Sequence, residues 1–86
     1  MQQQNVTLIY EFLEPVRGPD GTLYDVRVRG REREDGTWEG WLEFSNPLAG
    51  VRKTDRETTQ SNLQGLQYWA TGLEPIYLEG ALDRAR

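Results

Sequence analysis

Polar and apolar positions alternate through most of the first half of the chain. Val6, Leu8, Tyr10 and Phe12 are interleaved with Thr7, Ile9, Glu11 and Leu13. Period-2 patterning with β-branched and aromatic side chains predicts a strand, here over 6–16. Both parities carry apolar residues. The Val6 set makes the stronger face, so Ile9 and Leu13 are expected on the opposite one. Pro15 has no N–H to donate and should end or distort the ladder. Gly18-Pro19-Asp20-Gly21 then fits a type I turn closed by a left-handed glycine.

A second strand is expected over 22–33 and a third over 37–45. In the second, Tyr24, Val26, Val28 and Gly30 share a face, and Asp25, Arg27, Arg29, Arg31 and Arg33 share the other. In the third, Trp38, Gly40, Leu42 and Phe44 alternate with Glu39, Trp41 and Glu43. Parity decides the turn between them, because a one-residue slip flips every side chain. A two-residue loop at Asp35-Gly36 would set Val28 against Glu43 and Arg29 against Leu42. A three-residue loop, Glu34-Asp35-Gly36, sets Val28 against Leu42, Val26 against Phe44, Arg27 against Glu43 and Arg31 against Glu39. Every pair then matches in kind, and Gly36 falls where a left-handed residue is needed. The longer loop is therefore expected. A matching three-residue loop at Pro19 to Gly21 would place Glu11 opposite Arg29.

The rhythm changes in the second half. Residues 46–50 read as a turn, and 51–57 as a short polar strand at an edge. A helix is expected over 62–71. Ser61 and Gln64 form a capping box at its start, and Gly72 is expected as a left-handed stop. Its apolar stripe is Leu63, Leu66, Trp69, Ala70 and Leu73, with Trp69 facing the core. Pro75 opens a last strand over 76–83, with Ile76, Leu78, Gly80 and Leu82 alternating. The order is β-β-β-(β)-α-β. The expected fold is α+β: an antiparallel β-meander of four to five strands with a single α-helix packed on one face. Residues 1–86 make one domain, with loose ends at 1–4 and 84–86.

Composition narrows the chemistry. Of the 86 residues, 10 are basic and 14 acidic, for a net charge of −4, and there is no cysteine or histidine. That excludes a disulfide framework, a cysteine nucleophile, a Cys/His zinc site and an imidazole base. No apolar run approaches a membrane span, and no secretory signal is visible at the start, so a cytoplasmic protein is expected. The basic residues are nearly all arginine, which suits a GC-rich bacterial genome.

Three features carry candidate function. Arg27, Arg29, Arg31 and Arg33 lie on one face of one strand, with Ile9, Leu13 and Trp41 expected beside them. This face could meet a protein partner, a second copy of the chain, or nucleic acid stacked on Trp41. The plainer reading is a solvated face knitted by Arg–Glu pairs. The acidic balance argues against nucleic acid, which needs positive surplus. The second feature is a candidate anion site of Arg52, Lys53, Arg56, Thr58, Thr59 and Ser61 ahead of the helix. Ordinary capping on a solvated loop is the plainer reading of those hydroxyls, and no glycine-rich cradle precedes them. The third is the supply of carboxylates, which show neither calcium-loop spacing nor an evident acid–base pair. The expectation is a small non-enzymatic binding module without cofactor or metal. Its partner would be a protein or itself, through the outer sheet face.

Overall fold

The computed structural model describes residues 5–86. Six strands and two helices follow one another: β1 Thr7–Glu11, β2 Val16–Arg17, β3 Leu23–Glu32, β4 Trp38–Asn46, β5 Gly50–Lys53, β6 Thr58–Gln60, α1 Leu63–Thr71 and α2 Pro75–Arg84. The sheet is antiparallel. β1 and β2 both pair with one side of β3, β4 lies on the other side, and β5 and β6 share the far edge of β4. The fold is α+β. The loose start expected over 1–4 lies outside the described residues.

The β3–β4 hairpin is paired as its pattern requires. Val26 faces Phe44, Arg27 faces Glu43, Val28 faces Leu42 and Arg31 faces Glu39. Gly36 has φ +87° and closes a three-residue loop, with the Arg33 N–H bonded to the Thr37 carbonyl at 2.7 Å. Asp35 Oδ1 accepts the Thr37 N–H at 3.0 Å, which locks the turn. The first turn uses the same device: Gly21 has φ +86°, and Asp20 Oδ1 accepts the Thr22 N–H at 3.0 Å. Val26, Val28, Leu42 and Phe44 are fully buried and form the sheet's contribution to the core.

The first strand departs from its expected course twice. Residues 13 and 14 bend out ahead of Pro15, so β2 is separate from β1 and Leu13 is 98% exposed. A bulge between Leu8 and Tyr10 then changes parity: Leu8 pairs with Arg29, and Tyr10 pairs with Val28. Ile9, the extra residue, packs with Tyr10 and Phe12 against the core. Leu8 takes the outward place expected for Ile9, and Glu11 lies opposite Arg27 rather than Arg29. Apolar residues on both parities make the slip tolerable, because either choice buries a hydrophobe.

The segment after β4 returns to it twice. β5 covers one end and β6 the other, and between them Thr54 is buried. The Thr54 hydroxyl accepts the Leu42 N–H at 3.0 Å, standing in for the ladder acceptor that the departing backbone withdraws. The polar strand expected over 51–57 is thus confined to 50–53, with a second short strand at 58–60.

Both helices pack on the face carrying Val28 and Leu42, so the single expected helix is two. The α1 cap is Asn62, not Ser61: its side chain accepts the Gly65 N–H at 2.8 Å. Pairing of β6 through Gln60 delays the helix by a residue, and Asn caps as well as Ser. Gly72 ends α1 at φ −91°, not left-handed, because the chain turns at once into the next helix. That helix, α2, replaces the expected last strand. Leu78 and Leu82 satisfy a period of 2 and a period of 3.6 alike. Buried Ala81 and Ala85 complete the helical stripe, while Ile76 is 78% exposed. Pro75 sits in the first turn of α2, where its missing N–H costs nothing. Residues 84–86, expected loose, are docked: Ala85 is buried, and Arg86 exchanges backbone hydrogen bonds with Lys53 at 2.9 and 3.1 Å.

Candidate functional site

A pair of glycines positions the helical layer. Gly30 and Gly40 are direct partners across β3 and β4. The Leu66 side chain from α1 sits on them so closely that a Cβ on Gly30 would lie 2.7 Å from one Leu66 methyl. A Cβ on Gly40 would lie 2.6 Å from the other. Glycine inside a strand marks such close approach. The pair is implicit in the expected hairpin register, which sets 30 against 40, but only the docked helix reveals its use.

With both helices on one side, the opposite sheet face is left uncovered by any element of the described chain. Its central columns are Arg27, Arg29 and Arg31 on β3, and Glu43, Trp41 and Glu39 directly across on β4. Glu11 flanks them on β1 and Lys53 on β5. Leu8, Leu23 and Val51 lie on the same face and are 46%, 45% and 61% exposed. The charges are knitted together. Arg27 Nε donates to Glu11 at 2.8 Å and its Nη1 to Ser45 at 3.1 Å. Arg29 donates to Glu43 at 3.2 Å and Arg31 to Glu39 at 2.5 Å. The Arg31 guanidinium also lies 5.7 Å from the centre of the Trp41 ring, within cation–π range. These pairs are partly exposed, and surface pairs contribute about 0.2–1 kcal/mol each, so they arrange the surface more than they hold the fold.

Of the residues expected on this face, Arg27, Arg29, Arg31 and Trp41 are brought together. Ile9 is turned inward by the bulge, and Leu13 is carried off by the bend before Pro15. Arg33 stands at the hairpin end, where it lines an open depression with Glu34, Asp35 and Glu39. Leu8, Leu23, Val51 and Lys53 belong to the face and were not anticipated there. Their parity follows from the pairings, and only the bulge placed Leu8.

The candidate anion site is dispersed. Strand alternation puts Arg52 and Thr58 on the helix-covered side, and Lys53 and Thr59 on the other. Arg52 donates to the Ala85 carbonyl at 2.8 Å, and Thr58 accepts from Gln60 at 2.7 Å. Arg56 is exposed on the loop between β5 and β6, and Ser61 precedes the cap.

A second polar cluster ties α2 to the loop before β6. The Glu57 carboxylate accepts the Tyr77 hydroxyl at 2.5 Å and an Arg84 N–H at 2.6 Å. Arg84 lies over the Tyr77 ring, and Trp69, half-buried rather than fully in the core, meets that ring edge-on. Burial first, then the Glu57 carboxylate, pushes the Tyr77 phenol above its ordinary value. All three polar groups are satisfied by one another, which makes the cluster a clasp.

Among the described residues, no group of three or more acidic, histidine or cysteine side chains could hold a metal ion, and no buried side-chain nitrogen or oxygen lacks a hydrogen-bond partner. No helix there is long and apolar enough to cross a membrane. No protein-family model matches this chain, and no curated protein or solved structure matches it.

Proposed function

We propose that this protein is a small non-enzymatic binding module whose contact surface is the open sheet face centred on Arg29 and Trp41. One observation carries the reading. Both helices pack on one side of the sheet, and the other side presents an indole and three aliphatic side chains within an ordered lattice of ion pairs. Tryptophan and arginine are the residue types most enriched at binding hot spots, and preordered side chains lose less entropy on association. The pairing of Arg27, Arg29 and Arg31 with glutamates favours a protein partner over nucleic acid. A phosphate backbone laid on this face would meet Glu11, Glu39 and Glu43 as well as the arginines, and like charges repel.

The test is a photo-crosslinking amino acid at position 41, compared with one at Tyr68. Tyr68 is 83% exposed on α1, on the opposite side of the molecule. A product of discrete mass from position 41 and none from position 68 is expected, in cells of the source organism. Equal labelling from the two positions, or none from either, would refute the reading.

A further inference from the structure

We infer that the open face binds a second copy of this chain. The two-fold axis would lie in the interface, run parallel to the strands and pass between β3 and β4. This rests on the reading of the face as a protein-binding surface, and adds the partner and its orientation.

The charge order across the sheet selects both. One row of directly paired residues reads Glu11, Arg27, Glu43, Lys53 from β1 to β5, that is −, +, −, +. Turning a second copy about the stated axis reverses the row to +, −, +, − and keeps its height along the strands. Glu11 then faces Lys53 of the second copy, and Arg27 faces Glu43. Each pair occurs twice, as an isologous interface requires. The other rows obey the same operation. Arg31 meets Glu39, and the Arg29 guanidinium meets the Trp41 indole, adding a planar cation on an aromatic face to the centre. A two-fold axis across the strands, through Arg29 and Trp41, would instead set Arg27 on Arg31 and Glu43 on Glu39. Like charges would then oppose at both of these contacts and at Arg29 itself, at a cost that excludes that orientation.

A protein of net charge −4 thus carries one face whose two signs alternate so that the face complements itself. A second copy always supplies the reversed row. Four strands about 4.8 Å apart, with eight residues at about 3.4 Å each, give a footprint of about 500 Å² per copy. The total, about 1,000 Å², is at the low end for specific complexes, so the dimer is a weak one that forms at high protein concentration.

Sedimentation equilibrium from low micromolar to millimolar protein reads the mass directly. Wild type should rise toward twice the chain mass, and a monomer throughout would overturn the inference. Such a monomer would leave the binding-module reading to stand or fall on the crosslinking at position 41. Arg27→Glu and Glu43→Arg should each weaken self-association by more than about tenfold, since each turns two facing pairs into like charges. Mixed in equal amounts, the two variants should dimerise again. The carboxylate introduced by Arg27→Glu in one copy then meets the guanidinium introduced by Glu43→Arg in the other, and every facing pair is opposite in sign. Unchanged self-association of either variant, or no recovery on mixing, would overturn the proposed axis. The wild-type series stands independently of whether a variant folds poorly.

Discussion

Strand β3 has a neighbour on each side, and the two pairings differ. Toward β4, eight consecutive residues from Asp25 to Glu32 keep one register. Toward the first strand, the register changes twice between Val16 and Thr7, at the bend around residues 13–14 and at the bulge at Ile9. The turns do not account for this. Both are three-residue loops with an aspartate bonded to a threonine N–H and a glycine at positive φ. The strand sequences account for it. In β4, polar and apolar residues alternate strictly enough that a slip would bury glutamates. In the first strand, Ile9 and Leu13 are apolar on the parity meant for solvent, so nothing forbids one of them from turning inward. A turn starts a register, and only binary pattern maintains it.

The largest expected effect tests the regular side. Leu66→Ala should destabilise by about 2–5 kcal/mol in chemical denaturation, since its side chain fills the seat made by Gly30 and Gly40. Gly30→Ala should cost about 1–3 kcal/mol through overpacking. It should exceed Gly40→Ala, because the new Cβ at position 30 also lies 2.9 Å from the Glu39 carbonyl, which cannot move aside as a methyl can. Equal costs at the two glycines would mean that the sheet yields rather than the leucine.

The irregular side is tested by a pair of truncations. Ile9→Ala should destabilise by about 1–2 kcal/mol, as a half-buried side chain packed on the core. Leu8→Ala, on the open face, should stay within about 0.5 kcal/mol. The reverse order would restore an unbroken alternation and remove the bulge.

The turns themselves should be equivalent. Gly36→Ala and Gly21→Ala each force a Cβ into the left-handed region, and each should cost about 1–2 kcal/mol by thermal or denaturant unfolding. A much larger cost at Gly36 would show that the long ladder depends on its turn more than on its pattern.

The smallest effect is on pH. Hydrogen bonds from Thr22 to Asp20, and from Thr37 to Asp35, hold both carboxyls below their ordinary value. A lowered folded value means the contribution is complete above the unfolded value near 3.8 and is lost as pH falls through the folded one. Carboxyl resonances of Asp20 and Asp35 should therefore titrate below 3.8, with the two turns loosening together. Titration of either at or above that value would contradict the hydrogen bonds.

Much of the open face was legible beforehand. Arg27, Arg29, Arg31 and Trp41 follow from parity alone, and their glutamate partners follow from the hairpin register. Leu8 was not, because its outward place depends on the bulge. The anion site dissolved for a related reason: residues 58–60 are close in sequence to the cap, but pairing with β4 sends alternate side chains to opposite faces.

Elements whose cause is local can be read directly from the chain. Positive φ at Gly21 and Gly36, the β3–β4 register and the α1 stripe each arise within a few residues or one hairpin. What is ambiguous locally is resolved by packing. Leu78 and Leu82, four apart, fit a strand and a helix equally well. The helix prevails because Ala81 and Ala85 can then be buried beside them, and because the edge of β4 is already filled by β5 and β6. The docking of α1 likewise gives Gly30 and Gly40 their role. Those choices depend on which neighbour occupies the adjoining space, and no window of sequence contains that neighbour.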